Sequence, residues 1–100
     1  MSHAIHFCQY KLKKSATPEA FLAAAKALND GYISKQKGYM KWEQYQDGDA
    51  WADAITFETM ADLEAFEAAS QNPDALALAF YEWINMPSCK VNRFATVASH

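Results

Sequence analysis

Cysteine is scarce in this 100-residue chain: Cys8 and Cys89 are the only two, and neither belongs to a C-x-x-C pair. A disulfide framework is therefore excluded and two free thiols are expected. Cys8 has no activating neighbour in the sequence, so it reads as a packing residue and not as a nucleophile. Glycine and proline number only three each, which excludes collagen-like and linker chains. No apolar run approaches the roughly 18 to 20 residues of a membrane span. Residues 1–14 also lack the order of a signal peptide, in which positive charge precedes the apolar stretch. The expectation is a cytoplasmic protein with no membrane partner. Missing too are a P-loop, a Gly-rich dinucleotide fingerprint, a zinc-ligand cluster and a Ser-His-Asp arrangement, so neither metal nor cofactor is expected.

What is present suits a compact core. Hydrophobic residues make up 51% of the chain and aromatic residues 14%, against 21% charged and a net charge of -3. Disordered chains show the opposite balance, low hydrophobicity with high net charge. At this length one two-layer core is sufficient without staples, so residues 1–100 read as a single domain. The charges are sorted along the chain: residues 1–41 hold seven basic and two acidic side chains, while residues 42–89 hold ten acidic and no basic ones. With a pI near 5.5 and no arginine cluster, this distribution argues against a nucleic-acid surface and is compatible with two copies meeting through opposite charges.

The pattern predicts strand, helix, strand, strand, helix, strand. From His3 to Leu12, Ile5, Phe7, Cys8, Tyr10 and Leu12 alternate with polar residues, as in a strand buried on at least one face. Thr17, Pro18 and Glu19 combine an N-cap, a proline at the first helical position and an acidic first turn. Phe21, Leu22, Ala25, Leu28, Tyr32 and Ile33 follow as the apolar stripe of that helix, and Gly31 weakens its last turns. Tyr39–Gln46 and Trp51–Glu58 alternate on either side of Asp47-Gly48-Asp49, a hairpin.

A two-residue loop, Asp47-Gly48 or Gly48-Asp49, places Met40, Trp42 and Gln44 on one face with Trp51, Asp53, Ile55 and Phe57. Tyr39, Tyr45, Ala52, Ala54 and Thr56 then occupy the other face, and a three-residue loop would exchange the two sets. Thr59 and Asp62 approximate a capping box for a helix through Leu63 and Phe66. Pro73 is expected to open a second helical piece carrying Leu76, Phe80, Tyr81, Trp83 and Ile84, and Pro87 to end it. In the last strand Cys89, Val91, Arg93, Ala95 and Val97 share one side. Antiparallel pairing of the first and last strands sets Cys8 near residue 92, out of register with Cys89, so no disulfide between them is expected.

This βαββαβ order is the ferredoxin-like, α+β arrangement, a four-stranded antiparallel sheet with both helices on one face. The opposite face is too apolar for a fully solvated surface, and a second copy packing sheet against sheet would cover it. At Gly38-Tyr39, Asp47-Gly48, Trp51-Ala52-Asp53, Phe57-Glu58-Thr59-Met60 and Asn72-Pro73 the chain resembles the dimeric α+β barrel superfamily, which includes the antibiotic biosynthesis monooxygenase-like proteins. The resemblance covers roughly residues 4–97 and is closest to an uncharacterised branch with a tryptophan and, two residues on, an aspartate in the third strand. It implies a homodimer and a small-molecule enzyme, a cofactor-independent monooxygenase, cyclase or isomerase acting on an aromatic or enolisable substrate. The haem-degrading branch is disfavoured: the first strand has no asparagine, Phe57 stands where that branch has tryptophan, and residues 60–85 contain no histidine.

Among polar residues Asp53 stands out, because the favoured register surrounds its carboxylate with Trp42, Trp51, Ile55 and Phe57, where an unpaired charge is costly. Arg93, on the apolar side of the last strand, is its expected partner. As candidate catalytic residues, Asp53 would take a proton from a phenol or carbon acid and Arg93 would stabilise the developing anion. Trp42, Trp51 and Tyr81 would form an aromatic wall for a flat ligand, with His6 as a proton shuttle beside it. His3 and His6 fall on opposite strand faces, so they do not form a metal site. Three readings stay open: an enzyme, a non-catalytic ligand-binding or stress-associated homodimer, and an interaction module in which Asp53 and Arg93 only pair internally.

Overall fold

The computed structural model describes residues 2–100. Its elements are β1 (Ala4–Leu12), α1 (Pro18–Gly31), β2 (Tyr39–Asp47), β3 (Ala50–Phe57), α2 (Met60–Ala69), α3 (Ala75–Tyr81) and β4 (Ile84–Ala95), with a single 3-10 turn at Ile33–Lys35. The strands form one antiparallel sheet in the order β2-β3-β1-β4. This is the ferredoxin-like βαββαβ fold. β1 is central because the chain returns to it from both halves, and β2 and β4 are the edges.

Local chemistry sets the helix starts. Thr17 accepts a hydrogen bond from the Ala20 N–H at 3.2 Å, with Pro18 in the first turn, and Thr59 does the same for the Asp62 N–H at 3.1 Å. The third helix differs from the sequence expectation. Pro73 lies before the helix and does not open it: Asp74 is the cap, its carboxylate accepting from the Ala77 N–H at 2.9 Å, and Ala75 is the first helical residue. α3 is correspondingly short, and Ile84 belongs to β4. Pro87 lies inside β4 and does not terminate a helix; an edge strand tolerates proline because one row of its backbone groups is unpaired.

The core fills the space between sheet and helices. Phe21, Phe57 and Leu63 are fully buried, joined by Tyr10, Trp51, Ile55, Phe66, Phe80 and Ile84. Phe21 sits at the centre, edge-on to Trp51 at 5.2 Å and stacked on Phe80 at 5.0 Å between ring centroids. Such aromatic pairs add to the gain from removing apolar area from water.

Asp47 pairs with Ala50 across a Gly48-Asp49 turn, so the two-residue loop holds, with Trp42 opposite Ile55 and Gln44 opposite Asp53. One expectation fails at the far end of this hairpin. The register shifts between Tyr39 and Lys41, and the extra residue sends Tyr39 onto the core and leaves Met40 exposed, the reverse of strict alternation.

Two glycines hold left-handed backbone, Gly38 at φ 80° and Gly48 at φ 61°. At Gly48 an added Cβ meets open space, whereas at Gly38 it would lie 2.7 Å from the Asp62 Cβ. Gly38 also accepts a 2.8 Å hydrogen bond from the Glu58 N–H, which ties it to the entry of α2. Gly48→Ala should therefore cost about 1 kcal/mol of backbone strain, and Gly38→Ala should cost about 2 to 4 kcal/mol because strain and collision add. Urea denaturation of the two variants checks the order.

Candidate functional site

Alternate residues of β1 carry the site. His6, Cys8 and Tyr10 point to the helix side of the sheet, and the ladder sets Cys8 opposite Asp53 on β3 and opposite Val91 on β4. With the helices above, these strands line a half-open cavity of about 410 Å³. Asp53 lies in its floor at 6% exposure, and Trp42, Phe66, Phe80 and Tyr81 contribute aromatic walls. Arg93 reaches the cavity as well, but its side chain is 58% exposed, which puts it at the rim.

Asp53 is held by two donors on the same oxygen. The Tyr10 hydroxyl donates to Oδ1 at 2.7 Å and the Gln44 amide donates to Oδ1 at 3.2 Å. Oδ2 accepts no hydrogen bond among the described residues. Burial pushes the Asp53 carboxyl up to about 6, against the opposing pull of the Tyr10, Gln44 and Trp42 donors. The Trp42 indole N–H is near enough to favour the anion, yet it is buried without a well-aligned partner among the described residues. Burial, and then the Asp53 charge, raises the Tyr10 hydroxyl far above its usual range, so Tyr10 remains a donor.

Arg93 does not pair with Asp53. Its Nε donates to Glu67 Oε1 on α2, and the second Glu67 oxygen lies 2.8 Å from His6 Nδ1. The Glu67 side chain is only 15% exposed, so Arg93 and His6 satisfy a carboxylate that α2 would otherwise bury alone. A carboxylate only accepts, which places a proton on Nδ1 and leaves Nε2 of a neutral His6 as acceptor. The His6 ring is edge-on to Phe66 with centroids 5.8 Å apart.

Of the residues singled out in the sequence, Asp53, Arg93, His6, Trp42 and Tyr81 all line the cavity. Trp51 does not; it is a core residue packed on Phe21, because its position near the turn lies beyond the cavity floor. Sequence reasoning missed Tyr10, Gln44 and Glu67 as polar partners. Gln44 was legible as the polar residue facing Asp53 in the favoured register. Glu67 follows Leu63 by four residues, the helical spacing that turns it toward the sheet. No group of three or more His, Cys, Asp or Glu among the described residues is placed to hold a metal ion.

No family model matches the chain, and no curated protein does either. Solved structures do. SnoaB, a cofactor-independent oxygenase from Streptomyces nogalater, superposes with a TM-score of 0.73 at 11% identity, over 97% of this chain and 95% of that one. The chain shares its fold. An antibiotic biosynthesis monooxygenase-like protein from Bordetella bronchiseptica gives a TM-score of 0.77 at 9% identity, covering 98% of this chain and 100% of that one. A dimeric ferredoxin-like protein of unknown function from Thermobifida fusca gives 0.66 at 14% identity, covering 95% and 92%. At these identities the likeness concerns architecture, and activity has to be argued from the cavity.

The Asp53 carboxyl has a folded-state value of about 6 against an ordinary value of 3.8, so folding disfavours its ionised form. The stability associated with this group is present in full below pH 3.8 and is lost as pH rises through about 6. Asp53→Asn keeps an acceptor for Tyr10 and removes the charge. At pH 8 it should stabilise the protein by about 2 to 4 kcal/mol, a gain that vanishes near pH 3.5. Chemical denaturation at both pH values measures the difference.

Proposed function

We propose that the protein is a cytoplasmic, homodimeric small-molecule enzyme that begins its reaction by removing a proton from a flat aromatic or enolisable substrate. The observation that carries this reading is the Asp53 Oδ2 atom. It belongs to a carboxylate in the floor of an aromatic cavity, its sister oxygen takes both fixed donors, and its basicity is raised toward neutrality. A base of that strength is poised to take a proton from a phenol or a carbon acid at neutral pH.

Trp42 and Tyr81 would clasp the ring, and the rim set of Arg93, Glu67 and His6 would bind a polar substituent at the solvent end. Once the proton is on Asp53, the substrate anion has three outcomes. It can reprotonate elsewhere, which is isomerisation, or attack an internal carbonyl, which is cyclisation. It can also pass electrons to dioxygen. In that case one oxygen atom enters the product as a carbonyl in place of a methylene group, the other leaves as water, and all four electrons come from the substrate. None of these outcomes requires a metal or nucleotide. The likeness to SnoaB supports the oxygenase outcome by analogy of fold.

The turnover test is a panel of polycyclic phenols and enolisable ketones, followed by absorbance and by oxygen uptake. With a substrate in hand, kcat should rise with pH through about 6, and Asp53→Asn should lower it at least about 100-fold while leaving binding intact. Full turnover in the variant overturns the assignment of the base. Binding of every panel member without conversion by the native protein would leave a non-catalytic ligand-binding protein.

The dimer would form through the outer face of the sheet. Phe7 and Phe94 lie there with ring centroids 5.9 Å apart, and Phe94 and Tyr45 are each about half exposed in the isolated chain. Ala54 and Thr56 on β3 lie on the same side of the sheet but are already covered within one chain, so the contact would centre on Phe7, Phe94 and Tyr45. Light scattering should give twice 11.2 kDa, and Phe94→Asp should give the monomer.

A further inference from the structure

The two cysteines belong to the same cavity, and no part of the proton-transfer chemistry uses them. Cys8 lies on central β1 and Cys89 on edge strand β4, and both line the cavity. The ladder pairs Cys8 with Val91, one residue away from the register expected from the sequence. That single residue matters, because positions 89 and 91 then face the same side as Cys8. Cys89 becomes its diagonal neighbour and lines the same cavity, while the Cys8 thiol donates to the Gln9 carbonyl. Both are free.

We propose that Cys8 and Cys89 form a two-electron redox pair in the cavity wall, a site at which a small hydroperoxide closes the two thiols into an intramolecular disulfide. Diagonal neighbours in a regular ladder are about 7 to 8 Å apart between Cα atoms, slightly beyond the roughly 4.4 to 6.8 Å that a disulfide spans. β4 can make up the difference. Its register against β1 shifts just here: Gln9 pairs with Lys90 while Lys11 already pairs with Asn85, so residues 86–89 bow out opposite Tyr10. Pro87 sits in that bow, and no strand lies on the outer side of β4 to hold it.

Cys89 is the less deeply buried thiol, raised by burial but more open to an incoming peroxide than Cys8, so it attacks. Its thiolate sulfur takes the terminal peroxide oxygen, the O–O bond breaks, and the departing alkoxide or hydroxide gains a proton to leave as alcohol or water. Cys89 is now a sulfenic acid. The Cys8 sulfur attacks the Cys89 sulfur, the S–S bond forms, the S–O bond breaks, and the hydroxide leaves as water with the Cys8 proton. Two thiols lose two electrons in total and the hydroperoxide gains them. Burial holds the Cys8 thiol up at about 12, with the Cys89 and Asp53 charges pushing the same way. Cys8 is therefore suited to the second, resolving step and is a poor first nucleophile.

The test uses the native full-length protein treated with excess hydrogen peroxide at a pH where circular dichroism shows the fold intact, followed by alkylation and mass spectrometry. The expected result is loss of two hydrogens per chain, a Cys8–Cys89 cross-linked peptide, both thiols recovered with dithiothreitol, and no covalent dimer. Cys8→Ser should stop at the sulfenic acid, trapped by dimedone on Cys89, and Cys89→Ser should show little trapping. Oxygen addition to either cysteine of the native chain without a cross-link, a cross-link between two chains, or both thiols surviving peroxide would each overturn the pair. The readout is covalent and independent of any substrate, so it stands or falls separately from the role of Asp53.

Discussion

A two-residue turn fixes the pairing of Asp47 with Ala50, and from that pairing the inward side chains of the hairpin follow. A slip of one residue would carry Asp53 to the outer face and bring Ala52 and Ala54 into the core. The left-handed conformation at Gly48 makes the turn possible, and the aromatic cluster around Phe21 rewards it, since Trp51, Ile55 and Phe57 bury only in this register. The position of the carboxylate in the cavity is thus a consequence of how apolar neighbours two residues away on either side must pack. Asp53 itself opposes folding when ionised, and the hairpin carries that cost.

The cavity contains two carboxylates with opposite surroundings. Glu67 is bracketed by Arg93 and His6, so its charge is compensated within the protein. Asp53 has hydrogen-bond donors but, among the described residues, no cation in contact, so desolvation outweighs the donors and its proton affinity rises. Such a separation of roles by environment is the usual way in which one site offers an anchoring charge and a titrating base together.

Much of the architecture was legible because the chain repeats its instructions. Thr17-Pro18, the alternation around Gly48 and the Thr59 cap each specify an element locally, and together they specify the order of the fold. The failures have local causes too. No periodicity announces a bulge, so Tyr39 and Met40 exchanged faces unseen. Asp74 captured the cap next to Pro73, and β4 began earlier than Pro87 suggested, because a proline on an edge strand breaks no ladder. Asp53 and its cavity neighbours were legible from the strand alternation, whereas the partner of Arg93 was not. Glu67 comes from a helix whose rotation over the sheet is set by packing, and that is a tertiary property.

His6, Cys8 and Tyr10 stand at every second position of a single strand, each facing a different partner: His6 bonds Glu67, Tyr10 bonds Asp53, and Cys8 lies diagonal to Cys89. The arrangement separates two kinds of genetic change. Exchanging any one of the three residues leaves the spacing of the others untouched, so each substitution acts on one part of the cavity: the rim, the thiols or the acid. Inserting or deleting one residue between them would place part of the set on the outer face at once. Along this segment it is the spacing of the inward residues that keeps all three groups on one face.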